Sequence, residues 1–196
     1  MIVDDFLDPT RLEFVQEEIK KVKDNYSRDG YEHSKKIRDH FDPRFCGTQL
    51  ITNPRNILYS VFDRYFWDQL WIGLHDHGDY TFRHALQTRV GKVLLSAYAN
   101  KDYYGMHVDT DMDSIITAVL MLSINKNFEG GHLVIQDEII NFKNNTLIVF
   151  PSCIEHGVTK IESQSNKYED QRFSLQYFIS AVPLKNPLID ESSNIQ

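Results

Sequence analysis

From residue 92 onward the chain breaks into short segments rich in Val, Ile, Leu, Phe and Tyr, separated by turn formers: 92–98, 114–124, 132–135, 138–142, 146–150, 157–161 and 172–182. Strands this short have apolar faces that only a second layer can cover, so the pattern predicts two packed sheets, a β-sandwich or jelly roll. Asn127 to Gly131 and Lys143 to Asn145 carry the clearest turn signals and read as hairpin turns.

The first ninety residues follow a different pattern. Asp8-Pro9 pairs a cap with proline at the first helical position, and Leu12, Val15, Ile19 and Val22 recur at helical spacing, which predicts a helix over 9–23. Asn53-Pro54 repeats the signal ahead of Ile57, Leu58, Val61, Phe62, Tyr65, Phe66 and Leu70, predicting a second, better-buried helix over 54–71. Between them, residues 24–47 are polar and broken by Gly30, Pro43 and Gly47, so they read as a long loop. Its basic cluster, His33, Lys35, Lys36, Arg38 and His40, reads as a solvated surface. Helices followed by strands give an α+β class, a jelly roll buttressed by N-terminal helices. The 196 residues suit a single domain with a sizeable core.

Composition narrows the partners. A formal charge of −7 argues against non-specific attraction to nucleic acid or to an anionic membrane. The start Met1-Ile2-Val3-Asp4-Asp5 has neither a basic nor an apolar signal region, and no apolar run approaches a membrane span. The expectation is a soluble, cytoplasmic protein. Cys46 and Cys153 lie far apart and in no metal-ligand spacing, so both read as reduced thiols.

The chemistry centres on Gly105-Met106-His107-Val108-Asp109-Thr110-Asp111. In an extended backbone His107 and Asp109 share a face. An imidazole and a carboxylate at one point make two-thirds of a divalent metal site, and a second imidazole completes the 2-His-1-carboxylate facial triad. His156, beyond Phe150-Pro151 at a strand mouth, is the candidate. A His-x-Asp pair taken singly is weak evidence, and the rival reading is two satisfied buried histidines and a turn aspartate. Asp111 shares the face of Asp109 and competes with it. His75-Asp76-His77 precedes Gly78 at a helix end and reads as a surface turn.

The order of elements is more specific than any one of them. Leu94-Leu95-Ser96-Ala97-Tyr98, His107-Val108-Asp109, Val119-Leu120-Met121-Leu122-Ser123, Phe128-Glu129-Gly130-Gly131, Phe150-Pro151, His156-Gly157-Val158 and Gln171-Arg172-Phe173-Ser174-Leu175 follow one another along the chain. That order resembles the Fe(II)- and 2-oxoglutarate-dependent dioxygenases of the prolyl-4-hydroxylase-like and PKHD-type branch. The resemblance implies a double-stranded β-helix, cupin-like in form, over 91–183, with 1–90 as helical support and substrate-selecting region. It implies Fe(II) held by His107, Asp109 and His156, and Arg172 clamping the distal carboxylate of 2-oxoglutarate, a task that suits a planar, two-pronged guanidinium. Ser174, on the same strand face as Arg172, would add a hydroxyl. Tyr98 stands where the family often places a cosubstrate-binding tyrosine, and fits equally well as a core residue. His132 stands where the family often carries an acid.

The implied reaction uses 2-oxoglutarate and O2, admits ascorbate, releases succinate and CO2, and hydroxylates a C–H bond of a prolyl or other protein side chain or of a small amino-acid-like metabolite. Nucleic-acid demethylation ranks third. Two rivals remain: a jelly-roll module that binds a ligand or partner without catalysis, and a zinc hydrolase built on the same three ligands. The presence of Arg172 beside a complete triad favours the oxygenase over both. Oligomeric state is open.

Overall fold

The computed structural model describes residues 1–23, 44–51, 58, 61, 88–109 and 114–181. Helix α1 spans Pro9–Lys21, two residues short of the expected end. Asp8 caps it by accepting from Arg11 N at 2.9 Å, Pro9 opens the first turn, and Val15 and Ile19 form its buried stripe. The helix expected over 54–71 lies outside the described residues, apart from Leu58 and Val61. Leu58 is fully buried, and its carbonyl accepts from the Tyr177 hydroxyl.

The strands, in chain order, are β1 Ile2–Val3, β2 Arg44–Phe45, β3 Gly47–Ile51, β4 Thr88–Tyr98, β5 Tyr103–His107, β6 Ile116–Ser123, β7 Glu129–Gly130, β8 Leu133–Ile135, β9 Glu138–Ile140, β10 Thr146–Pro151, β11 His156–Val158, β12 Ile161–Glu162 and β13 Arg172–Ala181. One sheet runs β1-β10-β6-β13-β4-β3 and the other β2-β5-β11-β8-β9, with β12 and β7 forming a small third pair. Every pairing among them is antiparallel. The described residues thus form a jelly roll with α1 packed on the outer face of its larger sheet.

The strand β6 explains how both layers are held. All eight of its residues are buried, because the sheet is covered on both faces. Ile116, Ala118, Leu120 and Leu122 point into the core shared with Val15 and Ile19 of α1. Val119 and Met121 point the other way, into the core between the sheets with Tyr98, Ile148, Phe150 and Val158. The helix is also tied to the strands by polar bonds, Gln16 Nε2 donating to Ser123 O and Tyr168 Oη to Ile19 O, each at 2.8 Å.

Four expectations need correcting. Residues 44–47 do not belong to a loop: β2 occupies Arg44–Phe45 and β3 starts at Gly47, each pairing at the edge of a different sheet, while 24–43 lie outside the described residues. The segment 157–161 is two strands, because Thr159 N donates to His132 O and the chain then leaves β8 to pair β12 with β7. Neither turn taken for a hairpin is one. The 127–131 and 143–145 turns carry the chain between sheets, and the tight hairpin is Gln136–Asp137, with Ile135 opposite Glu138 and Gln136 at φ +54°. Finally, the strand holding His107 ends there, so Asp109 lies just beyond it.

Candidate active site

The antiparallel pairing of β5 with β11 sets His107 directly opposite His156, and their ring centroids are 4.3 Å apart. Tyr104 stacks on His107 at 4.2 Å, and Phe150 meets His156 edge-on at 4.7 Å, so each imidazole is packed from a second side. Each ring also bonds through Nδ1 to the carbonyl two residues before it, His107 to Gly105 O at 2.9 Å and His156 to Ile154 O at 3.0 Å. A carbonyl only accepts, so Nδ1 carries the proton in both rings and Nε2 is left as the outward lone pair of the neutral form.

Asp109 completes the group. Its backbone N–H donates to Ser152 O at 2.9 Å, which turns the residue back toward the histidines after the strand has ended. Oδ1 lies 3.4 Å from His107 Nε2 and Oδ2 lies 3.2 Å from His156 Nε2. One ligand atom from each of the three residues lies within 4.8 Å of the others. Burial on its own would raise the Asp109 pKa, but His107 and His156, when protonated and donating from Nε2, together with the Thr117 hydroxyl outweigh it and hold the carboxyl well below the ordinary carboxylate range. Two neutral Nε2 lone pairs and a carboxylate converging on one point repel unless the imidazoles are protonated or a cation lies between them. The donor set, two imidazoles and one carboxylate, suits a divalent transition metal.

A second polar group lies in the core between the sheets. Arg172 opens β13, opposite Tyr98 on β4 and Ser123 on β6, and Ser174 follows on the same face. Arg172, Tyr98 and Ser174 are all fully buried. The guanidinium carbon stands 4.6 Å over the Tyr98 ring and 5.9 Å from that of Phe142. All three guanidinium nitrogens, the Tyr98 hydroxyl and the Ser174 hydroxyl are buried without a hydrogen-bond partner among the described residues. Burial pushes the Arg172 pKa down and that of Tyr98 up. A buried cation without an anion costs several kcal/mol, so these orphaned donors fit a carboxylate ligand entering the core. Phe150, which touches His156, belongs to the same apolar cluster as Tyr98, so the cradle and the triad share one interior.

His132 stands apart from the triad. Its Nδ1 accepts from Phe142 N at 3.0 Å and its own N–H donates to Thr159 Oγ1 at 2.9 Å, a role in binding the small strands together. Asp111, His75 and His77 lie outside the described residues. Sequence reasoning passed over Thr117, Ser152 and Ser114, which bond to Asp109 or stand behind it. The available signal was Thr117 itself, a hydroxyl inside the apolar run of β6.

The jelly roll thus brings two histidines and an aspartate together and holds in the same interior a buried arginine whose nitrogens have no hydrogen-bond partner among the described residues. The sequence profile of the 2OG-Fe(II) oxygenase superfamily matches residues 93–180. Over that stretch the chain is similar to this superfamily, and the curated relatives it matches are PKHD-type hydroxylases. It is 32% identical over 82 residues to a PKHD-type hydroxylase of Shewanella baltica, covering 36% of this chain and 37% of that one. A PKHD-type hydroxylase of Shewanella oneidensis matches at 33% with the same coverage. The match thus spans little more than a third of those relatives' length. In fold, the chain is similar to a Pseudomonas putida prolyl-4-hydroxylase, with TM-score 0.61, 16% identity, and 93% of this chain and 92% of that one covered. A viral collagen prolyl hydroxylase from Paramecium Bursaria Chlorella virus-1 gives the same TM-score and identity, covering 93% and 96%. No helix among the described residues is long and apolar enough to cross a membrane.

Proposed function

We propose that this chain is an Fe(II)- and 2-oxoglutarate-dependent oxygenase that hydroxylates a C–H bond of a prolyl or other protein side chain, or of a small amino-acid-like metabolite. The observation that carries the reading is Arg172, a fully buried guanidinium whose nitrogens have no hydrogen-bond partner among the described residues, beside the hydroxyls of Tyr98 and Ser174, which likewise have none there. His107, Asp109 and His156 would hold Fe(II), and Arg172 with Tyr98 and Ser174 would hold the distal carboxylate of 2-oxoglutarate. Fe(II) with 2-oxoglutarate and O2 supplies the oxidising power for C–H hydroxylation, with succinate and CO2 released.

The chain's own residues do the rest. Arg172 meets the cosubstrate with a fixed fork of donors in a low-dielectric core, where a charge-assisted pair is strong and orients its ligand. His107, Asp109 and His156 would hold the ion by three side chains only, so that it could also take the cosubstrate. Phe150, Val158 and Met121 line the interior with apolar surface and keep water from it. Residues 1–196 are read as one domain, with 91–183 as the catalytic core and 1–90 selecting the substrate.

The test uses the full chain. Under anaerobic conditions Fe(II) with 2-oxoglutarate should give a charge-transfer absorption band, and in air a metabolite and peptide extract should gain one oxygen on some component, read by untargeted mass spectrometry, as succinate accumulates. Absence of both the band and succinate with every extract would leave a ligand-binding jelly roll instead.

A further inference from the structure

The strand β6 is apolar through its middle, yet Thr117 is buried on the face that meets Asp109. Its Oγ1 lies 2.7 Å from Asp109 Oδ2. An ionised carboxylate only accepts, so the threonine donates, and its oxygen remains to accept in turn. Ser152 Oγ stands 3.0 Å from it and supplies that proton, and Ser114 Oγ packs 2.6 Å behind Ser152. With the Ser152 proton directed at Thr117, the Ser114 hydroxyl is the donor at the far end of the row, its one proton shared between Ser152 Oγ and Ile116 O, 2.9 Å away. Ser152 also holds the other end of the aspartate, since its carbonyl accepts from Asp109 N at 2.9 Å.

The two carboxylate oxygens are therefore unlike. Oδ2 carries the threonine bond, whereas Oδ1, 3.4 Å from His107 Nε2, accepts from no hydroxyl among the described residues. We infer that Thr117, backed by Ser152, is a positioning residue that holds Asp109 by Oδ2 and presents Oδ1 to the cation. This rests on the metal-binding reading of the site. Threonine is suited to the task because its branched side chain has few rotamers in a strand, so the hydroxyl is aimed before any ion arrives.

The experiment is an anaerobic calorimetric titration of the full chain with Fe(II), repeated for Thr117→Val, Thr117→Ser and Ser152→Ala, with the apparent KM for 2-oxoglutarate measured at saturating Fe(II). Valine keeps the shape and removes the hydroxyl, and Fe(II) affinity should fall roughly 10- to 100-fold while the 2-oxoglutarate KM stays near that of the parent. Serine keeps the hydroxyl and should restore most of the affinity. Ser152→Ala, which leaves the backbone carbonyl in place, should give a smaller loss. Parental Fe(II) affinity in Thr117→Val overturns the inference, as does a Thr117→Ser protein as weak as the valine form. If Thr117→Val does not fold, parental affinity in Ser152→Ala overturns it. Failure of the parent itself to bind Fe(II) removes the metal site, whereas parental binding with unaffected variants removes only the role of Thr117.

Discussion

Arg172 and Tyr98 face each other as direct partners across β13 and β4, with the guanidinium 4.6 Å over the phenol ring and no hydrogen-bond partner for its nitrogens among the described residues. The ring offers a cation–π contact that offsets part of the burial cost. It cannot replace the hydrogen bonds that five donors lose on leaving water.

Arg172→Ala is therefore expected to act on the cosubstrate and to spare the metal. Losing one partner of a buried, charge-assisted pair costs about 2–4 kcal/mol, or a roughly 30- to 700-fold rise in the 2-oxoglutarate requirement. Steady-state titrations of both ligands check it, and equal effects on the Fe(II) and 2-oxoglutarate requirements would sink the clamp.

Asp109→Ala removes the carboxylate of the proposed triad and should abolish Fe(II)-dependent turnover. The measurement is succinate release with Fe(II) in excess. Full activity would hand the ligand role to Asp111 or dissolve the site.

Acid should expose the same residue in the metal-free protein. The folded-state pKa of Asp109 is depressed, so its ionised form contributes stability that is present above the unfolded value, about 4, and is lost as pH falls toward the folded one. Between pH 6 and pH 3, urea unfolding should show the parent losing more stability than Asp109→Asn. Parallel losses in the two proteins would mean that the carboxylate is not held in the folded state.

Asn145 is the expected weak point of the scaffold. It sits buried at φ +63°, and its side chain bonds both Leu7 N at 2.9 Å and Leu7 O at 2.8 Å. Asn145→Ala strands two buried backbone groups and strains a left-handed residue, for a loss of about 2–4 kcal/mol. Asn145→Gly relieves the backbone strain alone and should recover about 1 kcal/mol of it. Urea unfolding separates the two, and identical losses would show that the positive φ costs nothing.

Gly130 and Gly131 should fail in different ways. Both have positive φ, and a Cβ on Gly130 would sit 2.1 Å from Lys160 O, which is backbone and cannot step aside, so Gly130→Ala should cost stability. A Cβ on Gly131 would meet Ile161 Cδ1 at 2.5 Å and Arg172 Cγ at 3.3 Å, both side chains that can shift. Gly131→Ala should therefore cost the stability that its positive φ imposes and, unlike Gly130→Ala, also raise the 2-oxoglutarate KM. A Gly131→Ala protein with parental KM would separate the turn from the cradle.

What could be read from the sequence was whatever its own neighbourhood determines. Helix α1 was legible because Asp8, Pro9, Val15 and Ile19 act within three turns, and β6 because burial on both faces leaves an apolar run from Ala118 to Leu122. The strands β2 and β3 were not, since edge strands in a polar segment carry little pattern and owe their state to β5 and β4. The proposed ligands stood out through spacing and resemblance. Thr117 and Ser152 could not, because their meeting depends on the β10–β6 register that sets Phe150 against Thr117, a relationship absent from either local sequence.

The Nδ1 bonds of His107 and His156 have one more consequence. Each imidazole takes its orientation from a carbonyl two residues earlier in its own chain, Gly105 or Ile154, and not from across the sheet. The aim of each ring is thus a property of a three-residue unit, and the cross-strand pairing has only to bring the two units together. Such units are portable: grafted at directly opposed positions of another antiparallel pair, they would carry their orientation with them and would need only a carboxylate from a nearby turn to make a metal site.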